Sequence, residues 1–267
     1  MSVSAFSHAD ARRLSRTAGK DLTGMPSWLR NRLRPQLAAI FAVLVAVLVA
    51  AGPADAQDQR QNEVGQFDFY VLALSWSPSY CDARGARAPK MQCGGRPYSF
   101  VVHGLWPQYE RGFPEHCQVP PPRLHREIVS SMLDLMPSPQ LVFHEWGKHG
   151  TCSGLSPRSY FETVRRARAV VKIPAAYLAP TTELIVTPDE VEAAFVEANP
   201  GMPREAVSVN CDSRRMREVR ICMTKDLGFR ACEELDRRAC RREKLVMPPL
   251  RGGSAEGTGT EAATAVE

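Results

Sequence analysis

The alternation of apolar and polar residues predicts two strands in the first half of the chain. Residues 66–75 (QFDFYVLALS) alternate and then become continuously apolar, and residues 98–103 (YSFVVH) form a second apolar run. A period of two is typical of strands, so both segments are predicted to enter a core. The Cys-, Gly- and Pro-rich segment 78–97 is predicted to be a loop between them. Gly104 and Pro107 are expected to end the second strand.

The middle of the chain instead has apolar residues spaced three and four apart, which predicts helices. Three segments have this spacing: 123–136, 141–149 and 157–171. A fourth helix is predicted to begin at Thr187, because Thr187 and Glu190 form a capping-box pattern with Pro188 at the first helical position. It is expected to end near Asn199, before a Pro-Gly pair.

The last two predicted strands, 206–211 and 218–223, follow the helices. Because strands flank a helical middle without regular β-α-β alternation, we predict an α+β fold. It would be a single domain over residues 66–250, with a central, mostly antiparallel sheet and packed helices. Segment 57–65 is expected to be flexible, and the Gly-, Ala-, Thr- and Glu-rich tail 251–267 is expected to be disordered.

The first 56 residues have the pattern of an export signal. Three arginines between positions 30 and 34 precede an uncharged apolar run over 37–52, and Ala54-Asp55-Ala56 matches a cleavage site. The apolar run is shorter than the about 20 residues of a spanning helix, so an uncleaved anchor is the less favoured alternative. Met25 is an alternative start that would give the signal ordinary proportions. We therefore predict a periplasmic or extracellular protein that leaves the membrane after cleavage.

Removing the leader changes the charge of the chain. The 267 residues carry 34 Lys and Arg against 29 Asp and Glu, a formal charge of +5. Residues 1–56 contain seven of the basic and three of the acidic residues, so the remainder carries a charge of about +1. Net charge therefore does not predict a strongly basic nucleic-acid surface, and any anionic substrate must be bound by local charge.

All eight cysteines lie after the leader: Cys81, Cys93, Cys117, Cys152, Cys211, Cys222, Cys232 and Cys240. An even number of cysteines behind an export signal predicts four disulfides formed in an oxidising compartment. The spacing alone leaves all pairings open. No C-x-x-C pair occurs, which disfavours a structural zinc site.

Two segments concentrate residues suited to acid–base chemistry. The first, FVVHGLWP, contains His103, and the second, HEWGKHGTC, spans residues 144–152. If the second segment is a helix, Trp146 points away toward the core, and four ionisable side chains share the opposite face. These four are His144, Glu145, Lys148 and His149.

This set of side chains matches the needs of RNA cleavage by the substrate's own 2′-hydroxyl. Two imidazoles can act as base and acid near neutral pH. A lysine and a carboxyl group can stabilise the charge that grows on the phosphoryl oxygens. No metal ion or other cofactor is needed, because the nucleophile is part of the substrate.

Two other classes of protein remain as alternatives. A zinc hydrolase motif would place histidines four residues apart, but the residue four after His144 is Lys148. A three-histidine metal site from His103, His144 and His149 is the alternative within that class. A disulfide-stapled binding protein would explain the cysteines but not the clustered histidines. His116 and His125 have no such neighbours and are interpreted as surface residues.

The two histidine segments resemble the active-site segments of the ribonuclease T2 family of secreted acid ribonucleases. LALSWSPSYC (72–81) is similar to the opening strand of that family, and 199–222 is similar to its C-terminal strands. The resemblance covers roughly residues 66–240. It implies an α+β fold and metal-free cleavage of single-stranded RNA to 2′,3′-cyclic phosphates and then 3′-phosphates. It further implies low base specificity, no obligate protein partner and a monomer.

The resemblance also implies roles for individual residues. By position, His149 is the base for the 2′-hydroxyl and His103 is the acid for the leaving oxygen. Glu145 and Lys148 stabilise the pentacoordinate phosphorane, and His144 helps to hold the phosphate.

Three further positions bear on substrate binding and on the helix. Trp106 is implied to stack on a base. Gln108 occupies a position where the family often has an acidic residue, so a changed or weak base preference is expected. Gly147 replaces a residue that is commonly longer and charged, which is expected to weaken the helix by about 1 kcal/mol.

Finally, the resemblance implies four disulfide pairs, each expected to contribute about 2–4 kcal/mol. They are Cys81–Cys93, Cys117–Cys152, Cys211–Cys240 and Cys222–Cys232.

Overall fold

The computed structural model describes residues 61–250 apart from residue 238. Within them a four-stranded antiparallel sheet has the strand order β2-β1-β5-β4. Its strands are β1 (Phe69–Trp76), β2 (Phe100–Gln108), β4 (Val207–Cys211) and β5 (Met216–Met223). A separate antiparallel pair consists of β3 (Leu184–Val186) and β6 (Leu245–Met247). With its packed helices and four disulfides, the molecule confirms the predicted α+β class.

The described helices lie between these strands along the chain. They are α1 (Ser77–Arg84), α2 (Lys90–Cys93), α3 (Arg126–Met132), α4 (Pro139–Lys148), α5 (Pro157–Val170), α6 (Pro188–Ala198) and α7 (Glu233–Arg237). The capping box predicted at Thr187 is formed, with reciprocal bonds between Thr187 and Glu190. Among the described residues, none of the helices has the length and apolar character needed to cross a bilayer.

Strand β1 is the centre of the core because both of its faces are buried. Side chains alternate between faces along a strand, so Leu72 and Leu74 join the main cluster, which also contains buried apolar residues of α3, α5 and α6. Phe69 and Val71 point to the other face, where they pack with Leu235 of α7. The half-buried Trp106 packs against this second, smaller cluster.

Three sequence predictions about element boundaries were wrong. Strand β2 does not end at Gly104 but continues to Gln108, with Pro107 paired to Tyr70. Proline is tolerated there because β2 is an edge strand, and a missing N–H on the open side breaks no ladder bond. Part of the predicted loop 78–97 is helix α1, which has Pro78 in its first turn. The predicted helix 123–136 is shorter at both ends, because its N-cap His125 has an extended backbone and residues 133–135 form a turn after Met132.

The four disulfides are the pairs that the resemblance implies: Cys81–Cys93, Cys117–Cys152, Cys211–Cys240 and Cys222–Cys232. The Cys117–Cys152 disulfide links the 3₁₀ turn after α4 to a loop 35 residues earlier in the chain. The leader, residues 57–60 of segment 57–65 and the tail 251–267 lie outside the described residues.

Candidate active site

Two elements bring the predicted site residues together. His103 lies on β2, while His144, Glu145 and Lys148 lie on α4. His149 is the first residue after α4, where the chain turns into the 3₁₀ segment Gly150–Ser153. Trp146 packs into the core on the far side of α4, as its helical position predicts, and its indole N–H donates to the Pro122 carbonyl over 2.8 Å.

One cavity of about 300 Å³ is lined by all seven residues that the sequence singles out for catalysis and substrate binding. They are His103, Trp106, Gln108, His144, Glu145, Lys148 and His149. The sequence places them in two segments about 40 residues apart, so the fold brings the segments together. Gln108 is buried in the wall, where its amide donates to the Pro107 carbonyl over 3.0 Å.

The imidazole of His103 lies between two buried carboxyl groups. Its Nδ1 is 2.6 Å from Oε1 of Glu218, and its Nε2 is 3.6 Å from Oε1 of Glu145. Burial alone lowers the pKa of His103, but the hydrogen bond and charge of Glu218, together with the charge of Glu145, outweigh burial and the opposing Arg220. The net effect is a raised pKa, which favours the protonated ring.

The carboxylate of Glu218 is held from three sides. Besides His103, Ser75 Oγ donates to its Oε1 over 3.2 Å and Arg220 Nε donates to its Oε2 over 2.8 Å. Burial tends to raise the pKa of Glu218, yet the His103 hydrogen bond and the charges of His103 and Arg220 lower it to about 2. Glu218 is therefore an anion at every physiological pH.

Glu145 has the opposite protonation behaviour although it faces the same imidazole. Its side chain is 1 % exposed, and its Oε2 accepts a 2.7 Å hydrogen bond from the indole N–H of Trp106. Burial raises its pKa to about 7, against the lowering effects of His103 and the Trp106 bond. Two carboxyl groups on either side of one histidine thus differ in pKa, as is common in acid–base sites.

His149 is the second imidazole of the cavity, and its surroundings favour the neutral ring. It is 6 % exposed, and its buried Nδ1 has no hydrogen-bond partner among the described residues. Burial lowers its pKa to about 3, with the neighbouring charge of Lys148 adding to the effect. The ring packs against Trp106 and Phe113, with centroids 5.3 Å and 6.3 Å away.

Lys148 and His144 are more open to solvent than Glu145 and His149. Lys148 Nζ is 3.4 Å from Oε2 of Glu115 and lies over the Phe113 ring. His144 is exposed, and partial desolvation and the charge of Lys148 lower its pKa. The cavity therefore has a buried part around Glu145 and His149, and a cationic rim formed by Lys148.

The structure adds residues that the sequence analysis missed, namely Glu218, Arg220 and Ser75. Besides holding Glu218, the Arg220 guanidinium lies 5.2 Å from the centroid of the Trp106 ring. A signal was present in the segment EVRIC (218–222), where two charged residues two apart interrupt an apolar strand. Residues two apart share a face of a strand, so this pair predicts a polar contact there.

The described residues provide no cluster of three or more His, Cys, Asp or Glu side chains with the geometry of a metal site. The alternative set of His103, His144 and His149 surrounds a cavity that also contains the ammonium group of Lys148. An ammonium group repels a dication, so the residues of this cavity suit an anion better than a metal ion.

Gly104 leaves the space in which Glu145 and Trp106 meet. A Cβ at this position would overlap both Glu145 Oε2 and Trp106 Nε1. We expect Gly104→Ala to displace Glu145 and lower kcat/KM by about 10- to 100-fold, with about 1–3 kcal/mol lost from the free energy of unfolding. Steady-state kinetics and urea unfolding measure the two effects. The control is Gly95→Ala, because a Cβ there meets no atom within 4 Å; equal kinetic effects of the two variants would contradict the prediction.

Comparison with known proteins identifies relatives of this chain. The family model described as the ribonuclease T2 family matches residues 67–232. A ribonuclease of Aeromonas hydrophila is 35 % identical over 190 residues, which are 70 % of this chain and 85 % of that protein. Ribonuclease I of Escherichia coli is 25 % identical over 229 residues, 69 % of this chain and 85 % of that protein.

The solved structures include RNase NT in complex with 5′-AMP, which is 26 % identical with a TM-score of 0.51. That match covers 69 % of this chain and 99 % of the other. The RNase-related protein from Calystegia sepium has the same fold, with a TM-score of 0.56 at 22 % identity over 68 % of this chain and 97 % of the other. The family match and the Aeromonas relative together show that the chain is an endoribonuclease and belongs to the ribonuclease T2 family.

Proposed function

We propose that this chain cleaves single-stranded RNA without a metal ion, by attack of the 2′-hydroxyl on the adjacent phosphorus. The observation that carries the proposal is the opposite protonation tendency of two imidazoles lining one cavity. His149 has a lowered pKa and is neutral, whereas His103 has a raised pKa and holds its proton. A general base and a general acid are thus available together in the free enzyme.

The first step transfers the phosphoryl group within the substrate. Neutral His149 accepts the 2′-hydroxyl proton as the 2′-oxygen bonds to phosphorus. The bond from phosphorus to the 5′-oxygen of the next nucleotide breaks, and protonated His103 gives its proton to that oxygen. The products are a 2′,3′-cyclic phosphate and a free 5′-hydroxyl. In the second step the roles reverse, and water opens the ring to leave a 3′-phosphate.

Glu145 and Lys148 stabilise the charge of the pentacoordinate phosphorane. With a pKa of about 7, Glu145 is protonated in mildly acidic solution and can donate a hydrogen bond to a nonbridging oxygen. Lys148 supplies a cation at the rim, and His144 beside it contacts the phosphate. Preorganised groups of this kind stabilise the transition state because they need not reorient as the charge develops.

Trp106 and Gln108 line the same cavity, and we assign them to the nucleotide on the 5′ side of the scissile bond. An aromatic face stacks on any base and is worth about 1–3 kcal/mol, which agrees with low base specificity. The indole N–H of Trp106 donates to Glu145, so the platform for the base is coupled to the carboxyl group that acts on the phosphate.

Glu218 is a positioning residue in this mechanism. Its 2.6 Å hydrogen bond to Nδ1 fixes the orientation of the His103 ring and directs Nε2 toward the cavity side where Glu145 lies. Its negative charge favours the imidazolium form that the acid role requires. Ser75 and Arg220 in turn hold the carboxylate in place.

The export pattern of residues 1–56 and the four disulfides support a periplasmic or extracellular location, since disulfides persist in oxidising compartments. We further propose a monomer that acts without an obligate protein partner and, once the signal is cleaved, without a membrane. These features agree with a degradative enzyme whose substrate is free single-stranded RNA.

Digestion of a dinucleotide in the presence of EDTA tests the proposal. We expect the 2′,3′-cyclic phosphate to form first and the 3′-phosphate later, at the same rate with and without the chelator. A matched substrate with a 2′-deoxy group at the scissile ribose should stay intact, because it lacks the nucleophile. Loss of activity in EDTA, cleavage of the deoxy substrate, or a 5′-phosphate product would each contradict the mechanism, and chromatography against standards distinguishes them.

A further inference from the structure

A second cavity, of about 460 Å³, opens on the Glu218 side of His103 and continues along the surface. His103 and Arg220 line both this cavity and the one described above. Its far end shares Asn210, Cys211 and Asp212 with a third, more open depression of about 610 Å³. The second and third cavities are therefore one surface groove that begins at His103, and we call it the arginine groove.

The charge of the arginine groove differs from that of the chain as a whole. Five arginines line it, with only two carboxylates among its described lining residues. The arginines are Arg84, Arg217, Arg220, Arg241 and Arg242. Both carboxylates already have cationic partners, because Glu218 binds Arg220 and Asp212 lies 3.5 Å from Arg217 and 3.4 Å from Arg215. Residues 57–267 together carry only about +1, so positive charge is concentrated in this groove.

The outer end of the groove is anchored to the sheet. The Cys211–Cys240 disulfide joins the end of β4 to the residue just before Arg241 and Arg242. The backbone N–H of Cys240 also donates to the Val209 carbonyl over 2.8 Å. Arg241 and Arg242 are both exposed. The disulfide and this hydrogen bond thus hold Arg241 and Arg242 beside the groove, although residues 241 and 242 are not part of a strand.

The polarity of the proposed reaction gives the groove a direction. His103 protonates the 5′-oxygen of the leaving nucleotide, so that nucleotide lies on the 3′ side of the scissile bond. The cavity with Trp106 and His149 holds the 5′ side, and the strand leaves past His103 into the arginine groove. We propose that this groove binds the phosphates on the 3′ side of the cleaved bond, with Arg241 and Arg242 as the outermost contacts; this inference rests on the proposed function.

The test compares substrates that reach the outer end of the groove with substrates that do not. For the full-length double variant R241Q/R242Q, we expect the ratio of kcat/KM on a single-stranded RNA of about 12 nucleotides to that on a dinucleotide to fall about tenfold. A 2′-O-methylated RNA of the same length lacks the nucleophile and can be used to measure binding without cleavage. The affinity of the double variant for this RNA should depend less steeply on salt concentration than the affinity of the wild type. Each lost phosphate contact on a single strand lowers the slope of log K against log salt by about 0.7, so two contacts remove about 1.4.

The matched control is R126Q/R158Q, which removes two exposed charges that line none of the three cavities. The proposal predicts that the control keeps both the substrate ratio and the salt slope of the wild type. Equal behaviour of the two double variants, or an equal loss on both substrates in R241Q/R242Q, would overturn it. Failure of the wild type to cleave the dinucleotide would instead contradict the proposed function, so the two failures are distinguishable.

Discussion

Replacing His149 or His103 with alanine is expected to lower kcat for RNA cleavage by about 10²–10⁴-fold, because each variant loses one of the two proton transfers. The protein should remain folded, since neither ring is part of the apolar clusters that hold the sheet to its helices. Turnover of a dinucleotide and thermal unfolding are the two measurements. His125→Ala is the control, because it removes an exposed imidazole that lines none of the three cavities.

The two substitutions also differ in what they do to the pH profile of residual activity. Without His149, the reaction should require hydroxide or water as base, so its rate should rise with pH. In the wild type, deprotonation of His103 should lower the rate at alkaline pH. Without His103, this fall in rate should disappear. A variant of either position that keeps more than about a tenth of the wild-type rate would show that its proton transfer is not needed.

Glu218→Gln is expected to have the second-largest effect, although Glu218 lines the arginine groove and not the cavity that contains His149. The amide keeps the size of the side chain but removes the negative charge that favours protonated His103. We expect kcat/KM at pH 7 to fall about 10- to 100-fold, because a hydrogen bond to a charged group contributes about 1.5–3 kcal/mol. The alkaline limb of the pH profile should move to lower pH, because the hydrogen bond and charge of Glu218 raise the pKa of His103.

A shift of the alkaline limb would show that Glu218 acts by positioning His103 and favouring its protonated form. If Glu218 had only a structural role, its substitution would lower the rate equally at every pH. The groups that face His103 are Glu218, Glu145 and Arg220, and of these only Glu218 is altered.

The same substitution should also affect stability in a pH-dependent way. Because the pKa of Glu218 is about 2 when folded and ordinarily 4.5, its stabilising contribution is complete above pH 4.5 and is lost as pH falls toward 2. The destabilisation of Glu218→Gln should therefore shrink in acid. Glu127→Gln, an exposed carboxylate lining none of the cavities, is the control.

Elements specified by local residues could be predicted from the sequence. Helix α6 begins at the capping box of Thr187 and Glu190, and α5 begins at Pro157, because these signals act within one helical turn. Strand β2 was predicted too short, since whether Pro107 is tolerated depends on which strands are neighbours. Its edge position follows from the order of the sheet, which no local pattern specifies.

The same distinction applies to the site. The helical spacing of α4 predicts that Glu145, Lys148 and His149 lie near one another, and they line one cavity. The partner of His103 could not be predicted in this way, because Glu218 is 115 residues away and reaches it only when β5 pairs with β1. Helical spacing also does not predict how deeply a side chain is buried, so it does not distinguish buried Glu145 from exposed His144.

Titration of the two imidazoles by NMR in the substrate-free protein tests the central claim most directly. The claim is that His149 and His103 are held in opposite protonation states before RNA binds. Carbon-13 labelling of histidine, with signals assigned from the alanine variants, should show His149 neutral down to about pH 3 and His103 protonated beyond its ordinary midpoint of 6.5. A common midpoint near 6.5 for both rings, or a protonated His149 beside a neutral His103 at pH 6, would contradict the account.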